Sequence, residues 1–186
     1  MTVLDQEKCM SALSPHLAPV HGAMHRGFDR YLKDYLSEIK AEHSDRAVTS
    51  NVHSHMLAEM AQAFEGVSGA ALLDVRGLKV LNLDDRIVGR FKKVDDQGRS
   101  RSYPTKQAKA FDLQLPLPGV PAAATRVTFG YEPDAAFSAI ERIVVACPYG
   151  DGIPWCAQVN VVDSVASWID ITPQRLTGTT RFQMKK

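Results

Sequence analysis

The chain has 186 residues with 22 Lys/Arg, 21 Asp/Glu and six His, a formal net charge of +1. A hydrophobic share of 45% with a charged share of 23% suits a globular domain with a sizeable core and excludes a disordered polyelectrolyte. No apolar run approaches the roughly 18–20 residues that cross a bilayer, so no membrane partner is expected.

The N-terminus lacks the basic-then-apolar pattern of a secretory signal. Cys9, Cys147 and Cys156 have no framework spacing. The expectation is therefore a cytoplasmic protein with reduced thiols. It is read as a single domain, 1–186, of the α+β class. N-terminal helices precede a mixed, largely antiparallel sheet of five or six strands with one inserted helix.

Residues 1–25 contain Pro15, Pro19 and Gly22 and show little periodicity, which predicts a loosely ordered lead-in or a short helix. The helical part is 26–65. From Arg26 to about Glu42, Phe28, Tyr31, Leu32, Tyr35, Leu36 and Ile39 recur at helical spacing. Ser44 or Asp45 can cap a second helix running to about Glu65, where Gly66 stops it; its apolar stripe is Val48, Val52, Met56, Met60 and Phe64.

The period then changes to that of strands, over 70–162. Ala70–Val75 and Leu78–Leu83 flank an Arg76-Gly77 turn, Asp84-Asp85 makes the next turn, and Arg86–Val94 is a third strand. Asp95-Asp96-Gln97-Gly98 ends it. Thr105–Leu113 predicts a helix with Pro104 at its entry. The prolines in Leu115–Pro121 forbid both helix interior and central strand, so an ordered loop is expected. Thr125–Tyr131, Glu141–Cys147 and Trp155–Val162 complete the strands. Residues 163–186 are read as a tail with a short helix around Ser164–Ile169.

The most informative segment for function is Arg86–Lys109. It holds eight Lys/Arg against Asp95 and Asp96, a local excess of +6 in a nearly neutral chain. Arg86, Arg90 and Lys92 share one face of a strand by alternation, with Ile87 and Phe91 on the other. Arg99, Ser100, Arg101, Ser102, Tyr103, Thr105 and Lys106 follow. Arginines interleaved with hydroxyl donors suit phosphate oxygens. DNA, RNA or another polyanion is the expected partner, held by Arg86, Arg90, Lys92, Arg99, Arg101 and Lys106. A solvated strand face guarding an exposed edge is the plain alternative.

The order from Val48 to Tyr131 is helix, three strands, helix, strand. Together with Asp74 or Asp85 ahead of Lys92, it resembles the core of the PD-(D/E)xK nuclease superfamily. That resemblance implies a divalent metal, Mg or Mn, held by acids on successive strands, with a lysine helping to activate water. It makes Asp74, Asp85, Lys92 and Gln107 the candidate catalytic residues, with Glu59 or Glu65 as a further carboxylate. RecB-type members carry a Gln-x-x-x-Tyr pair on the following helix, to which Gln107-Ala-Lys-Ala-Phe111 is similar but for one hydroxyl. The acid of the acid-x-Lys tripeptide is Arg90 here, and a guanidinium cannot bind a cation. A nuclease-like core without metal chemistry is therefore the expectation, with no resident cofactor.

The chain is also dimly similar to uncharacterised bacterial proteins of the accessory-genome kind. That implies an alternative as an antitoxin, immunity or mobile-element accessory protein. Its protein partner would dock on the helical half through Tyr31, Tyr35, Met24, Met56 and Met60. The other candidates are weaker. His21 and His25 have helical i, i+4 spacing that suits a metal, but no paired cysteine or further ligand motif supports it. His53 and His55 would face apart. Cys147 precedes a turn and is read as a buried structural thiol rather than a nucleophile.

Overall fold

The computed structural model describes residues 3–100 and 105–173. Helix α1 runs over Gln6–Asp34, α2 over Ser37–Glu42 and α3 over Asp45–Ala63. Strands β1 (Ala70–Val75), β2 (Leu78–Leu83) and β3 (Ile87–Lys93) precede α4 (Lys106–Asp112). Strands β4 (Thr125–Pro133), β5 (Ile140–Tyr149), β6 (Gly152–Val162) and β7 (Val165–Asp170) follow.

The loose lead-in or short helix expected at 1–25 is instead the first five turns of the long α1. Asp5 caps it by accepting from the Lys8 N–H, and Cys9, Met10, Leu13, Leu17, Val20 and Met24 form its buried stripe. Both helix-breaking prolines are exposed. The carbonyls they leave without an amide, those of Ser11 and Pro15 four residues earlier, therefore lie on the solvent side, where water satisfies them. Tyr35 and Leu36 are extended, so the stripe predicted from Arg26 to Glu42 is broken into α1 and the short α2. The α3 boundaries follow the sequence: Ser44 Oγ accepts from the Ala47 N–H, as a cap should.

All seven strands form one sheet in chain order. Every neighbouring pair is antiparallel except β3 and β4, which run parallel because α4 carries the chain back between them. The sheet thus exceeds the expected five or six strands. The added strand, β7, occupies the place where a short helix was predicted. Asp163 and Ser164 take left-handed φ values of 48° and 65°, making a tight hairpin, and Ala166 and Trp168 alternate onto the core.

One sheet face is covered by α1 and α3, where Ile87, Phe91, Val127, Phe129 and Tyr131 meet the α1 and α3 stripes. The helices approach closely at Gly27: a Cβ there would lie 2.6 Å from the Met56 backbone. On the other face, α4 and the 113–124 loop cover β1 to β3 through Phe111, Leu117 and Val120. Beyond them a second cluster of Val94, Val144, Ala146 and Cys156 is buried. Only Ile87–Gly89 of β3 pairs with β2, so Arg90–Lys93 has no strand on that side. Helix α3 lies there instead.

Candidate functional site

The basic segment does not form one surface. Arg86 is exposed in the β2–β3 turn, and Lys92 is near the far end of β3, roughly 20 Å away at the rise of a strand. Lys106 is exposed at the start of α4, and Gln107 beside it is half-buried. Arg101 lies outside the described residues.

Arg90 departs furthest from expectation. Its side chain is 3% exposed, and it ties three elements together. Nε donates to Thr128 Oγ1 on β4, while Nη2 donates to Ser100 Oγ and, at 2.6 Å, to Asp112 Oδ1 on α4. The guanidinium also sits 4.7 Å from the centre of the Phe111 ring. Alternation correctly placed Arg90 on the face opposite Phe91, but α4 and the loop after β3 cover that face. Arg90 is a buried strut, and no phosphate reaches it without displacing Ser100 or Asp112.

Lys92 is half-buried beside it. Burial, followed by the neighbouring Arg90 charge, pulls its ammonium below the usual lysine range, and Asp112 opposes them. Lys92 has no ion-pair partner among the described residues. Nor do Arg46, Arg86, Lys93, Arg99, Lys106 and Lys109, or Lys33, Lys40 and Arg76 outside the segment, whereas Lys8, Arg26, Arg30, Lys79 and Arg142 are paired with carboxylates.

Two recesses collect Arg46, Lys92, Lys93, Arg99 and Lys109, but not Arg86 or Lys106. The first, about 770 Å³, lies between α3 and the unpaired edge of β3. Arg46, Thr49, Ser50 and His53 of α3 form one wall, and Lys92, Lys93 and Arg99 the other. Asp45 and Asp95 are its acids, and the buried Tyr131 forms part of its lining. The Tyr131 hydroxyl has no hydrogen-bond partner among the described residues. His53 is held neutral, lowered to about 4 chiefly by burial and then by Lys92, while a hydrogen bond to the Phe91 backbone works the other way. The second recess, about 700 Å³, lies on the α4 side, where Arg99 and Lys109 face Asp95, Asp112 and Asp151 above the buried Arg90.

The ridge between them is the Asp95–Ser100 turn, and Arg99 lines both recesses. This turn is rigidly built. Asp95 Oδ1 accepts from the Gln97 and Arg99 N–H groups, Val94 bridges to Ser100, and Arg142 donates to the Asp96 carbonyl. Gly98 has φ 74°, and a Cβ there would meet Cys156 Sγ at 2.8 Å. Asp95 is thereby engaged with backbone amides. Arg46 was missed by sequence reading, since it lies forty residues before the basic segment, and only its place on the outer face of α3 hinted at it.

The acids implied by the nuclease resemblance are not gathered around Lys92. Asp74 is on β1, two strands from β3 and about 10 Å away laterally at closest. It accepts from the Gly77 N–H and from Lys79, and the Lys79 hydrogen bond holds its carboxyl below the usual range. Asp85 is in the turn at the Arg86 end, accepting from Asn82. Glu59 is paired with Arg26 at 2.9 Å and with Arg30 at 3.8 Å. The carboxylate that does act on Lys92 is Asp112, a residue no motif singled out, and Arg90 already occupies one of its oxygens. No group of three or more His, Cys, Asp and Glu with metal-ligand geometry occurs among the described residues.

The anchors expected for a protein partner are mostly core. Met24, Met56 and Met60 are fully buried, and Tyr31 is 2% exposed with its hydroxyl bonded to His43. Cys147 is buried as well, and burial pushes its thiol up to about 12, as for Cys9 and Cys156. His21 and His25 pack ring to ring at 4.6 Å. No described helix is long and apolar enough to cross a membrane. Comparison with protein-family models, curated proteins and solved structures finds no match to this chain.

Proposed function

We propose that this protein binds a polyanion of the nucleic-acid type along the two recesses, with Arg99 at the crossing between them. The observation that carries the reading is the gathering of cations along two adjoining recesses: Arg46, Lys92 and Lys93, then Arg99, then Lys109. Lack of a carboxylate does not by itself set them apart, since Lys33, Lys40, Arg76, Arg86 and Lys106 elsewhere on the surface are unpaired too among the described residues; their gathering along adjoining recesses does. The environment of Lys92 supports the reading further. A half-buried ammonium beside a second cation is destabilised, and a phosphate oxygen in the groove would relieve it.

The contacts are of the positioning kind, made to phosphates rather than to base edges. If about four of these cations meet phosphates, log K should fall with log salt at a slope of roughly −3 to −4. Fluorescence anisotropy of a labelled oligonucleotide across a salt series tests this. Arg99→Ala should reduce the slope by roughly one unit, and Arg86→Ala, at the opposite end of β3, should leave it unchanged. Equal loss from both substitutions would show that only net charge matters. Absence of binding at low salt would end the reading. Adding magnesium or manganese to the same titration checks for cleavage of the probe.

A further inference from the structure

We infer that the polyanion taken by this protein is a single strand, DNA or RNA, rather than a duplex. The inference rests on the binding proposed above and adds the form of the ligand. A duplex is a stiff convex rod. Proteins read it with elements that project, usually a helix entering a major groove about 12 Å wide, or with a broad cationic face. Here the cations lie on the walls of recesses. Arg46 is on α3, Lys92 is half-buried on β3, and the two face one groove of about 770 Å³. Helix α3 cannot enter a duplex groove with this face, because the same face forms the groove wall against the edge of β3.

The arrangement fits an extended backbone. A single strand laid in the α3–β3 groove meets Arg46, Lys92 and Lys93, passes over the fixed turn that presents Arg99, and enters the second recess at Lys109. Thr49, Ser50 and the neutral His53 offer hydrogen bonds to sugars or bases along the way. Cationic channels that track one flexible backbone bind single strands in this manner, with little dependence on sequence. The rigidity of the Asp95–Ser100 turn matters here, since a preformed ridge orders no chain of its own on binding.

The test is an anisotropy competition at fixed low salt. A labelled single-stranded DNA of about twenty nucleotides is displaced by the same unlabelled strand, by its duplex and by the corresponding RNA. The single strands should compete about tenfold better than the duplex. A duplex that competes within threefold, or better, overturns the inference while leaving polyanion binding intact. If nothing binds, both readings fall together. Arg46→Ala with Arg99→Ala should weaken single-strand binding at least tenfold with an unchanged thermal midpoint. Unchanged affinity would overturn the path through the groove, because Arg46 lines the α3–β3 groove and not the second recess.

Discussion

Arg90 and Asp112 delete the same ion pair when either is removed, yet the structure predicts unequal costs. Arg90 is 3% exposed and Asp112 28%. Asp112→Ala strands a guanidinium beneath α4 with only Thr128 and Ser100 as partners, and its Nη1 already has no partner among the described residues. Leaving a buried charge unpaired costs about 3–5 kcal/mol. Arg90→Met keeps an unbranched stem against Phe111 and leaves a carboxylate that water can reach, for about 1–3 kcal/mol. Urea unfolding measures both. With a slope near 2 kcal/mol/M, Asp112→Ala should lower the midpoint by roughly 1.5–2.5 M and Arg90→Met by roughly 0.5–1.5 M. A larger loss from Arg90→Met would refute the reasoning, since it would mean that the packing of the stem outweighs the stranded charge.

Gly27→Ala places a methyl group 2.6 Å from the Met56 backbone and should force α1 off α3, costing about 1–3 kcal/mol or more; an unchanged thermal midpoint would refute the close approach. Arg126 is fully buried without a carboxylate, and its Nε and Nη2 lack partners among the described residues, although Nη1 donates to the Gln114 carbonyl. Arg126→Met should therefore leave stability unchanged or raise it, and a loss above about 1 kcal/mol would show the guanidinium to be well satisfied. His53 titrates near 4 in the folded chain and near 6.5 when unfolded. Between these values the unfolded chain binds a proton that the native state refuses, so stability should fall as pH drops from about 6.5 to about 4. The loss over that window is on the order of 3 kcal/mol. His53→Gln should flatten that part of the pH profile, and an unaltered profile would assign the acid sensitivity elsewhere.

The elements were largely legible because their signals are local. The Ser44 cap, the Asp84-Asp85 turn, the alternation of β1 to β3 and the Thr105 cap each act within a few residues, so a sequence window contains the whole interaction. Local rules misled where tertiary burial overrode them. Pro15 and Pro19 argue against a helix, but a six-residue stripe packed on the sheet outweighs two unpaired carbonyls that face water. Ser164–Ile169 reads as a helix, but pairing with β6 makes it a strand.

The site was decided by what covers each face, which no window contains. Alternation assigned Arg90, with Arg86 and Lys92, to one face of β3 but could not show that α4 would cover it. That covering turns an expected phosphate contact into a buried strut. Parallel pairing of β3 with β4 depends on the path of the chain through α4, and β2 pairs with β3 only over Ile87–Gly89, which leaves the end of β3 open to α3. Only there does Arg46 meet Lys92 and Arg99. The sequence determined that a cationic segment exists between a strand and a helix. The tertiary structure divided it, burying one arginine, stranding another at the far turn and gathering the rest with a residue from α3. Charge is a property of residues, but a binding surface depends on which of them long-range packing leaves exposed together.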